Sequence, residues 1–347
     1  MSTFFFSIIV PIYNGATLLG ETIDSVLNQS FHDWEMIAVD DHSTDNSAQL
    51  LKDAGTRHPN INVIIHEKNH GGPFAARNTA LDHAKGEYLI FLDQDDLLAA
   101  DSLEKIAQLA KECQSDAIRG VRISLKDGKE KIMNEFLPAS PVSTRFQDSP
   151  ELWPGNNFAA WIFKREFISE NGLRFQDLIG HDDKEFLLHA LLSARSLTVS
   201  DIPLVKYRRR HNSLQGRKNP RSMFDDIRAH GMMLTLLHET GNKRALDHRF
   251  KRLDFPAIAG MCAWASTQVD KETRKDFYEK AQQIFNRPEV RDLDPGEGER
   301  PLIFSSLKAG DHAASTRLLR KYSHRLRRYP WWRTLWNRGT AAAKGRE

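Results

Sequence analysis

Only two of the 347 residues are cysteine, Cys113 and Cys262, far apart and in no Cys-x-x-Cys pair. Neither a zinc ribbon nor a disulfide framework is expected, and the reducing cytoplasm is the expected compartment. Long apolar runs are missing too. The apolar stretches, such as Phe4 to Phe6 and Ile8 to Val10, are only a few residues long, far short of the ~18–20 needed to span a bilayer, so no membrane-spanning helix is expected. Met-Ser-Thr leads straight into such a run without a basic n-region or a small-residue cleavage site, so no export signal is expected. There is no G-x-G-x-x-G after the first apolar run and no G-x-x-x-x-G-K followed by Ser or Thr, which disfavours a dinucleotide dehydrogenase and a P-loop nucleotidase. No internal repeat is evident.

What is present is ordinary globular material, 40% hydrophobic and 27% charged, long enough for one large α/β domain or two smaller domains. The net charge of +3 is unevenly spread. Residues 301–347 hold 11 Lys or Arg against 2 Asp or Glu, which leaves residues 1–300 at −6. An acidic body with a basic end raises an anionic partner for that end alone, either a membrane or nucleic acid.

The first hundred residues alternate strand-like and helix-like patterns. Strands are expected at Phe5 to Val10, Glu35 to Val39, Asn62 to His66 and Tyr88 to Leu92. Leu19, Ile23, Val26 and Leu27 share one helical face; Ser43 or Asp45 can cap a helix running to about Arg57, and Pro73 can open one ending near Gly86. This β-α-β-α-β-α-β order predicts an α/β fold with a mostly parallel sheet. A helix through Leu103 to Ala110, strands at Ala117 to Ser124 and Lys131 to Phe136, a helix at Glu185 to Ala194 and a strand at Leu197 to Tyr207 follow. Pro138 to Pro154 reads as a loop. Beyond about Gln215 only helices are expected, at Arg221 to Glu239, Ala245 to Thr267, Lys271 to Phe285 and Asp311 to Arg328, with a turn at Asp292 to Gly298.

In an open parallel sheet, ligands bind beyond the carboxyl ends of the strands. Polar residues follow each of the first four strands: Tyr13, Asn14 and Gly15; Asp40 to Thr44; His66, Glu67, Asn69 and His70; and Asp93, Gln94, Asp95 and Asp96. Three carboxylates in four residues repel one another unless a cation or hydrogen-bond donors stand among them. Oxygen ligands favour Mg²⁺ or Mn²⁺, although such acids also cap helices. Gly71-Gly72 before Pro73 could bring backbone amides to a phosphate or simply make a turn, and Arg77 could reach the same anion or form an ordinary salt bridge.

Four segments, F-S-I-I-V-P-I-Y-N at 6–14, A-V-D-D-H-S-T-D at 38–45, N-H-G-G-P-F-A-A-R-N at 69–78 and G-E-Y-L-I-F-L-D-Q-D-D at 86–96, resemble in order and spacing the family 2 nucleotide-sugar glycosyltransferases. The resemblance continues more loosely through F-Q-D-L-I-G-H-D-D-K-E-F-L-L at 175–188 and Y-R-R-R-H-N-S-L at 207–214. It implies a GT-A fold over residues 1–215, with a nucleotide-sugar half at about 1–98 and an acceptor half at about 99–215, followed by a helical region over 216–347. It also implies inverting transfer from a nucleotide diphosphosugar, in particular a UDP-sugar, to a saccharide or lipid-linked saccharide of a bacterial surface polysaccharide or lipopolysaccharide. By position, Pro11, Tyr13 and Asn14 would line the base and ribose pocket, Asp40 or Asp41 would bind the base, and Arg77 would lie near the base or the diphosphate. Asp93 would approach the ribose and, with Asp95, bind Mn²⁺ or Mg²⁺. A proton-accepting carboxylate is needed as the acceptor hydroxyl attacks. The family's E-D-like motif reads Asp182-Asp183 here, with Asp183 as the base, Asp182 in the Glu position, and a one-residue shift reversing them. Arg210 and His211 would face the departing diphosphate, and Trp153, Asn156 and Asn157 the acceptor. Trp161 could serve there or pack in the core.

The end, R-L-R-R-Y-P-W-W-R-T-L-W-N-R at 325–338, mixes Arg with three Trp. This suits peripheral attachment to an anionic membrane, or a helix docked on the body; no RNA-binding motif accompanies the charge, and nucleic acid is not expected. The competing classes are a nucleotidyltransferase, which would want a Lys-containing loop after the first strand, and a non-catalytic binding protein of the same fold, which the intact acid cluster disfavours.

Overall fold

The computed structural model describes residues 4–132, 142–146, 158–179, 181–208 and 219–326. The chain divides into two compact units, Met1–Asp177 with Asp182–Arg210, and Leu178–His181 with His211–Glu347.

In the first unit the expected strands form as β1 (Phe4–Ile12), β2 (Trp34–Asp40), β3 (Ile61–Ile65) and β4 (Gly86–Phe91), joined by α1 (Ala16–Leu27), α2 (Ser47–Arg57) and α3 (Pro73–His83). β1 pairs in parallel with both β2 and β4, and β2 with β3. β1, β2 and β4 are largely apolar on both faces because both faces are covered, whereas the edge strand β3 is partly exposed. Phe6, Ile8, Val10, Met36, Tyr88 and Ile90 join the core built with α1, α2 and the later helix α4 (Ser102–Cys113). The alternate residue Phe91 packs instead among Phe158, Phe175 and Phe186, ring centroids 4.9 to 5.9 Å away. Pro11 pairs with Val39 of β2 but lies beyond the stretch of β1 bonded to β4, so its missing N–H costs no rung on that side.

The sheet continues through β5 (Leu97–Leu98), β6 (Ala117–Lys126), β7 (Lys129–Ile132), β8 (Val142–Thr144), β9 (Trp161–Lys164) and β10 (Leu197–Arg208), with α5 (Arg165–Glu170) and α6 (Asp182–Ser193) between the last two. Its order is β3-β2-β1-β4-β9-β6-β10-β5, with β7 on β6 and β8 on β10. The architecture is the expected mostly parallel α/β sheet. Three details differ from the sequence expectation. β9 runs antiparallel between β4 and β6, and its four residues are too few to show a period. Trp161, 3% exposed, belongs to its core. The segment read as a loop from Pro138 contains β8, an edge strand fixed by its pairing to β10 rather than by its own composition. The helix after β2 has Asn46 in the N-cap position without a side-chain bond, and it is Asp45, one of the two expected caps, that accepts the Ser47 N–H at 2.9 Å.

The second unit contains α7 (Pro220–Glu239), α8 (Lys243–Arg249), α9 (Phe255–Gln268), α10 (Lys271–Phe285), α11 (Arg300–Lys308) and α12 (His312–Leu326). Asn219 and Ser222 form a reciprocal capping box ahead of α7. The single helix expected from Ala245 is interrupted by a π-helical turn, Phe250–Asp254. Pro256 supplies the reason: without an N–H it cannot bond the carbonyl four residues back, and the backbone widens there. The turn places Asp254, fully buried, against His230 Nδ1 at 2.6 Å and Arg249 Nε at 2.9 Å. Phe250, Phe255, Phe285 and Phe304 form the aromatic centre, with Phe285 and Phe304 centroids 5.0 Å apart. Residues Leu178–His181, counted with this unit, are held by Asp225, which accepts from the Ile179 N–H at 3.2 Å, and by a His181–Asp226 pair. No described helix is long and apolar enough to cross a membrane.

Candidate active site

Four loops leave the carboxyl ends of β1 to β4 in the first unit, and side chains knit them together. Asn14, in the left-handed region at φ 50°, accepts from the Thr44 N–H at 2.8 Å and donates its own N–H to Ser43 Oγ at 2.9 Å. Left-handed backbone is tolerated by Asn better than by most residues. The Gly15 and Ala16 amides, unpaired at the start of α1, donate to Ser47 Oγ and Asp45 Oδ2 at 2.9 and 3.0 Å. Burial would raise the Asp45 carboxyl, but its bonds from Ser47 and Ala16 hold it below the ordinary carboxylate range. Asp40, fully buried, accepts the Ser43 N–H at 2.8 Å, and its other oxygen has no partner among the described residues. Pro11 is buried, whereas Tyr13 is 45% exposed.

Asp41 is the hub of the next pair of loops. Its Oδ1 lies 2.8 Å from His66 Nδ1 and 2.6 Å from His70 Nδ1; its Oδ2 accepts from the His70 N–H at 2.8 Å and from Asn69 Nδ2 at 3.1 Å. Burial works to raise this carboxyl, and these bonds outweigh it, so Asp41 stays ionised below the usual range.

After β4, Gln94 bonds both backbone groups of Tyr13: its Oε1 accepts the N–H at 2.8 Å and its Nε2 donates to the carbonyl at 3.0 Å. A Cβ on Gly15 would fall 2.4 Å from Gln94 Oε1, so a side chain there would push the Gln94 amide off Tyr13. Asp93 and Asp95 are half-buried, whereas Asp96 is 1% exposed. Asp96 takes the Arg208 N–H at 2.9 Å, its second oxygen meets no partner among the described residues, and burial plus the charges of Asp93 and Asp95 push its pKa well up. The three side chains offer oxygen alone, the donor type that a hard divalent cation takes. Arg208 also donates to the Asp95 carbonyl and to Glu21.

Arg77 joins this loop to the head of α6. Its guanidinium donates to Asp182 at 2.7 Å and to Asp93 at 2.9 Å, and lies 5.3 Å from the ring centroids of both Phe158 and Phe175. Burial disfavours the Arg77 charge, but Asp182, Asp93 and Asp183 reverse that effect and hold it fully protonated. Asn78 fixes the same crossing, exchanging two hydrogen bonds with the Phe175 backbone at 2.8 and 3.0 Å. Burial pushes Asp182 up to about 6 despite Arg77, raises half-buried Asp183, and pushes Glu185, one turn along, up to about 7.

Thus Asp93, Arg77 and Asp182 are in direct contact, and Asn14, Asp40 and Asp41 stand on loops bonded to one another. Arg210, His211, Trp153, Asn156 and Asn157 lie outside the described residues. Phe158, Phe175 and Glu185 are not among the candidate residues of the sequence, and Gln94 is named there only for its place between two acids at a strand end. Phe158 and Phe175 act through Arg77, distant in sequence, and Glu185 through burial beside Asp182.

The family model described as "Glycosyl transferase family 2" matches residues 7–172. A glycosyltransferase of Streptococcus pneumoniae, GlyG, is 30% identical over 229 residues, covering 60% of this chain and 72% of that protein. An uncharacterized glycosyltransferase of Haemophilus influenzae is 41% identical over 196 residues, 53% of this chain and 71% of the relative. The poly(ribitol-phosphate) beta-glucosyltransferase of Bacillus spizizenii is 34% identical over 197 residues; the match spans 56% of this chain but only 30% of that longer protein. Among solved structures, Staphylococcus aureus TarS residues 1–349 with UDP-GlcNAc superposes with a TM-score of 0.75 at 22% identity, covering 92% of this chain and 91% of the other, and shares the fold.

Proposed function

This chain belongs to glycosyl transferase family 2, and on that premise we propose that it is a metal-dependent inverting transferase. It moves a sugar from a UDP-sugar to a hydroxyl of a saccharide or lipid-linked saccharide during assembly of a cell-surface polysaccharide or lipopolysaccharide. The observation that carries the reading is the Arg77 bridge, which joins an acid of the β4 loop, Asp93, to the first of the two acids of α6, Asp182, through one buried cation. The UDP donor is supported by the fold neighbour TarS, whose structures hold UDP and UDP-GlcNAc.

Pro11, Tyr13 and Asn14 line the base and ribose, with Asp40 or Asp41 on the base. Asp95 and Asp93 would hold Mn²⁺ or Mg²⁺. When bound, that ion offsets the charge that grows on the departing diphosphate; Arg210 and His211 add positive charge beside it. Asp182 is committed to Arg77, which leaves Asp183 as the base. Asp183 takes the proton of the acceptor hydroxyl as its oxygen bonds the anomeric carbon from one face, and the bond to the nucleotide diphosphate breaks on the other. A carboxylate with a raised pKa is the stronger proton acceptor once ionised. Trp153, Asn156 and Asn157 are assigned to the acceptor.

Donor turnover measured over a panel of nucleotide sugars tests this. A UDP-sugar should be turned over only with Mn²⁺ or Mg²⁺, and Asp95→Ala and Asp183→Asn should each lower kcat by roughly 10²–10⁴-fold. Turnover that survives chelation and both substitutions would overturn it. Residues 325–347 are assigned to an anionic membrane surface on the strength of their Arg and Trp content. Salt should release the protein from membranes, and removing 325–347 should abolish attachment; unchanged fractionation refutes this assignment.

A further inference from the structure

An ionised carboxylate accepts about four hydrogen bonds and donates none. Asp41 already has its partners: His66 Nδ1 and His70 Nδ1 on Oδ1, at 2.8 and 2.6 Å, and the His70 N–H and Asn69 Nδ2 on Oδ2, at 2.8 and 3.1 Å. Both rings therefore carry their proton on Nδ1. The Asp41 side chain is 4% exposed, and its own N–H donates to the Ile12 carbonyl at 2.8 Å, just before the exposed Tyr13. A nucleobase N–H arriving at this carboxylate finds it fully occupied. It can bond Asp41 only in exchange for a donor already there.

The donors are not equally replaceable. Asn69 Nδ2 also bonds the Asp41 carbonyl at 2.9 Å, and its side-chain oxygen takes the Gly71 N–H at 2.9 Å. The His66 ring is 11% exposed and pinned at both nitrogens, with Nε2 3.0 Å from Thr79 Oγ1. The His70 ring is 31% exposed and is bonded through Nδ1 alone among the described residues. Its backbone N–H stays tied to Asp41 Oδ2, so rotation about the side-chain bonds removes the ring without moving the loop. We propose that His70 is a stand-in for the nucleobase: its Nδ1–H occupies the place on Asp41 Oδ1 that the N3–H of uracil takes in the complex, and the ring swings outward as the base enters. The inference rests on the UDP-donor reading, and it names Asp41, not the fully buried Asp40, as the acid on the base. One N–H replaces another, so Asp41 keeps its full set of bonds in both states while water takes up the freed ring. A base whose N3 carries no hydrogen breaks the His70 bond and returns nothing. His70 thereby sets how tightly UDP is held, because the ring must leave before the base can bond.

Calorimetric titration of the full chain with UDP and with its N3-methyl analogue, both at constant Mg²⁺, tests this. The parent should bind UDP at least about 10-fold more tightly than the analogue, and His70→Ala should tighten UDP by a further ~10-fold, the size of one hydrogen bond to a charged group. In an Asp41→Asn background the same substitution should change UDP affinity by less than about two-fold. The ¹⁵N NMR spectrum of the histidine rings gives a readout free of substitutions: saturating UDP should remove the protected Nδ1–H signal of His70 and leave that of His66. UDP bound no more tightly than its N3-methyl analogue, unchanged or weaker binding in His70→Ala, or a His70 signal that survives saturation overturns the proposal and leaves the UDP donor standing. A parent protein that binds no UDP overturns the UDP reading itself, and this proposal with it.

Discussion

Buried charge is arranged differently in the two units. In the first, carboxylates stand beside carboxylates: Asp93, Asp95 and Asp96 after β4, and Asp182 and Asp183 at the head of α6, with Arg77 as the buried cation touching both groups. In the second, Asp254 sits within a helix between His230 and Arg249, each pairing at 2.9 Å or less. The second arrangement is neutralised by its own unit. The first keeps an excess of negative charge, with raised carboxyl pKa values and an orphaned Asp96 oxygen, a cost that only a positively charged ligand or a proton relieves. Incomplete compensation marks the site; complete compensation marks a structural core.

A matched pair of substitutions can break that contrast. Removing one member of a buried ion pair strands the other, at about 3–5 kcal/mol. Arg77→Ala strands Asp182 and deprives Asp93 as well, so it should lie near the upper end and also cut kcat/KM at least about 10-fold. Asp254→Asn should lie near the lower end, about 3 kcal/mol, with kcat/KM per folded molecule within about two-fold of the parent. Denaturant melts and initial rates on both variants decide it. Equal losses of activity would mean that the two networks do not differ in kind.

A smaller effect sharpens the same point. Burial raises Glu185 from 4.5 to about 7. The folded state therefore holds this proton longer than the unfolded chain does, and its stability falls as pH rises from about 4.5 to 7. Glu185→Gln should remove that slope and leave the protein more stable than the parent at pH 8, by up to about 3 kcal/mol. Melting temperatures of both proteins at pH 5 and pH 8 check it; a gap that does not widen with pH would contradict the buried-acid assignment.

The first four strands were legible because each is an apolar run closed by polar loop residues, and a parallel sheet covered on both faces imposes that pattern. The acid clusters were legible as local clusters. What could not be read locally was pairing across distance. Arg77 meets Asp182 across 105 positions, and no spacing rule links them. β9 and β8 are too short to carry a period and exist because β4, β6 and β10 offer edges. The π turn depends on Pro256, which was visible, but a proline can end, kink or widen a helix, and only the packing of Phe250 and Asp254 selects widening. α11 begins with Arg300-Pro301 and is only nine residues long, so its pattern merged with the preceding turn.

The two bonds between Gln94 and Tyr13 have a mechanical consequence. One amide side chain imitates a strand neighbour, accepting and donating at the same residue, and so extends the connection of β1 to β4 past the point where their backbones part. The loop after β1 and the acid loop after β4 consequently behave as one lever with a common fulcrum. A push from a ligand on either arm is delivered to the other without a hinge of its own.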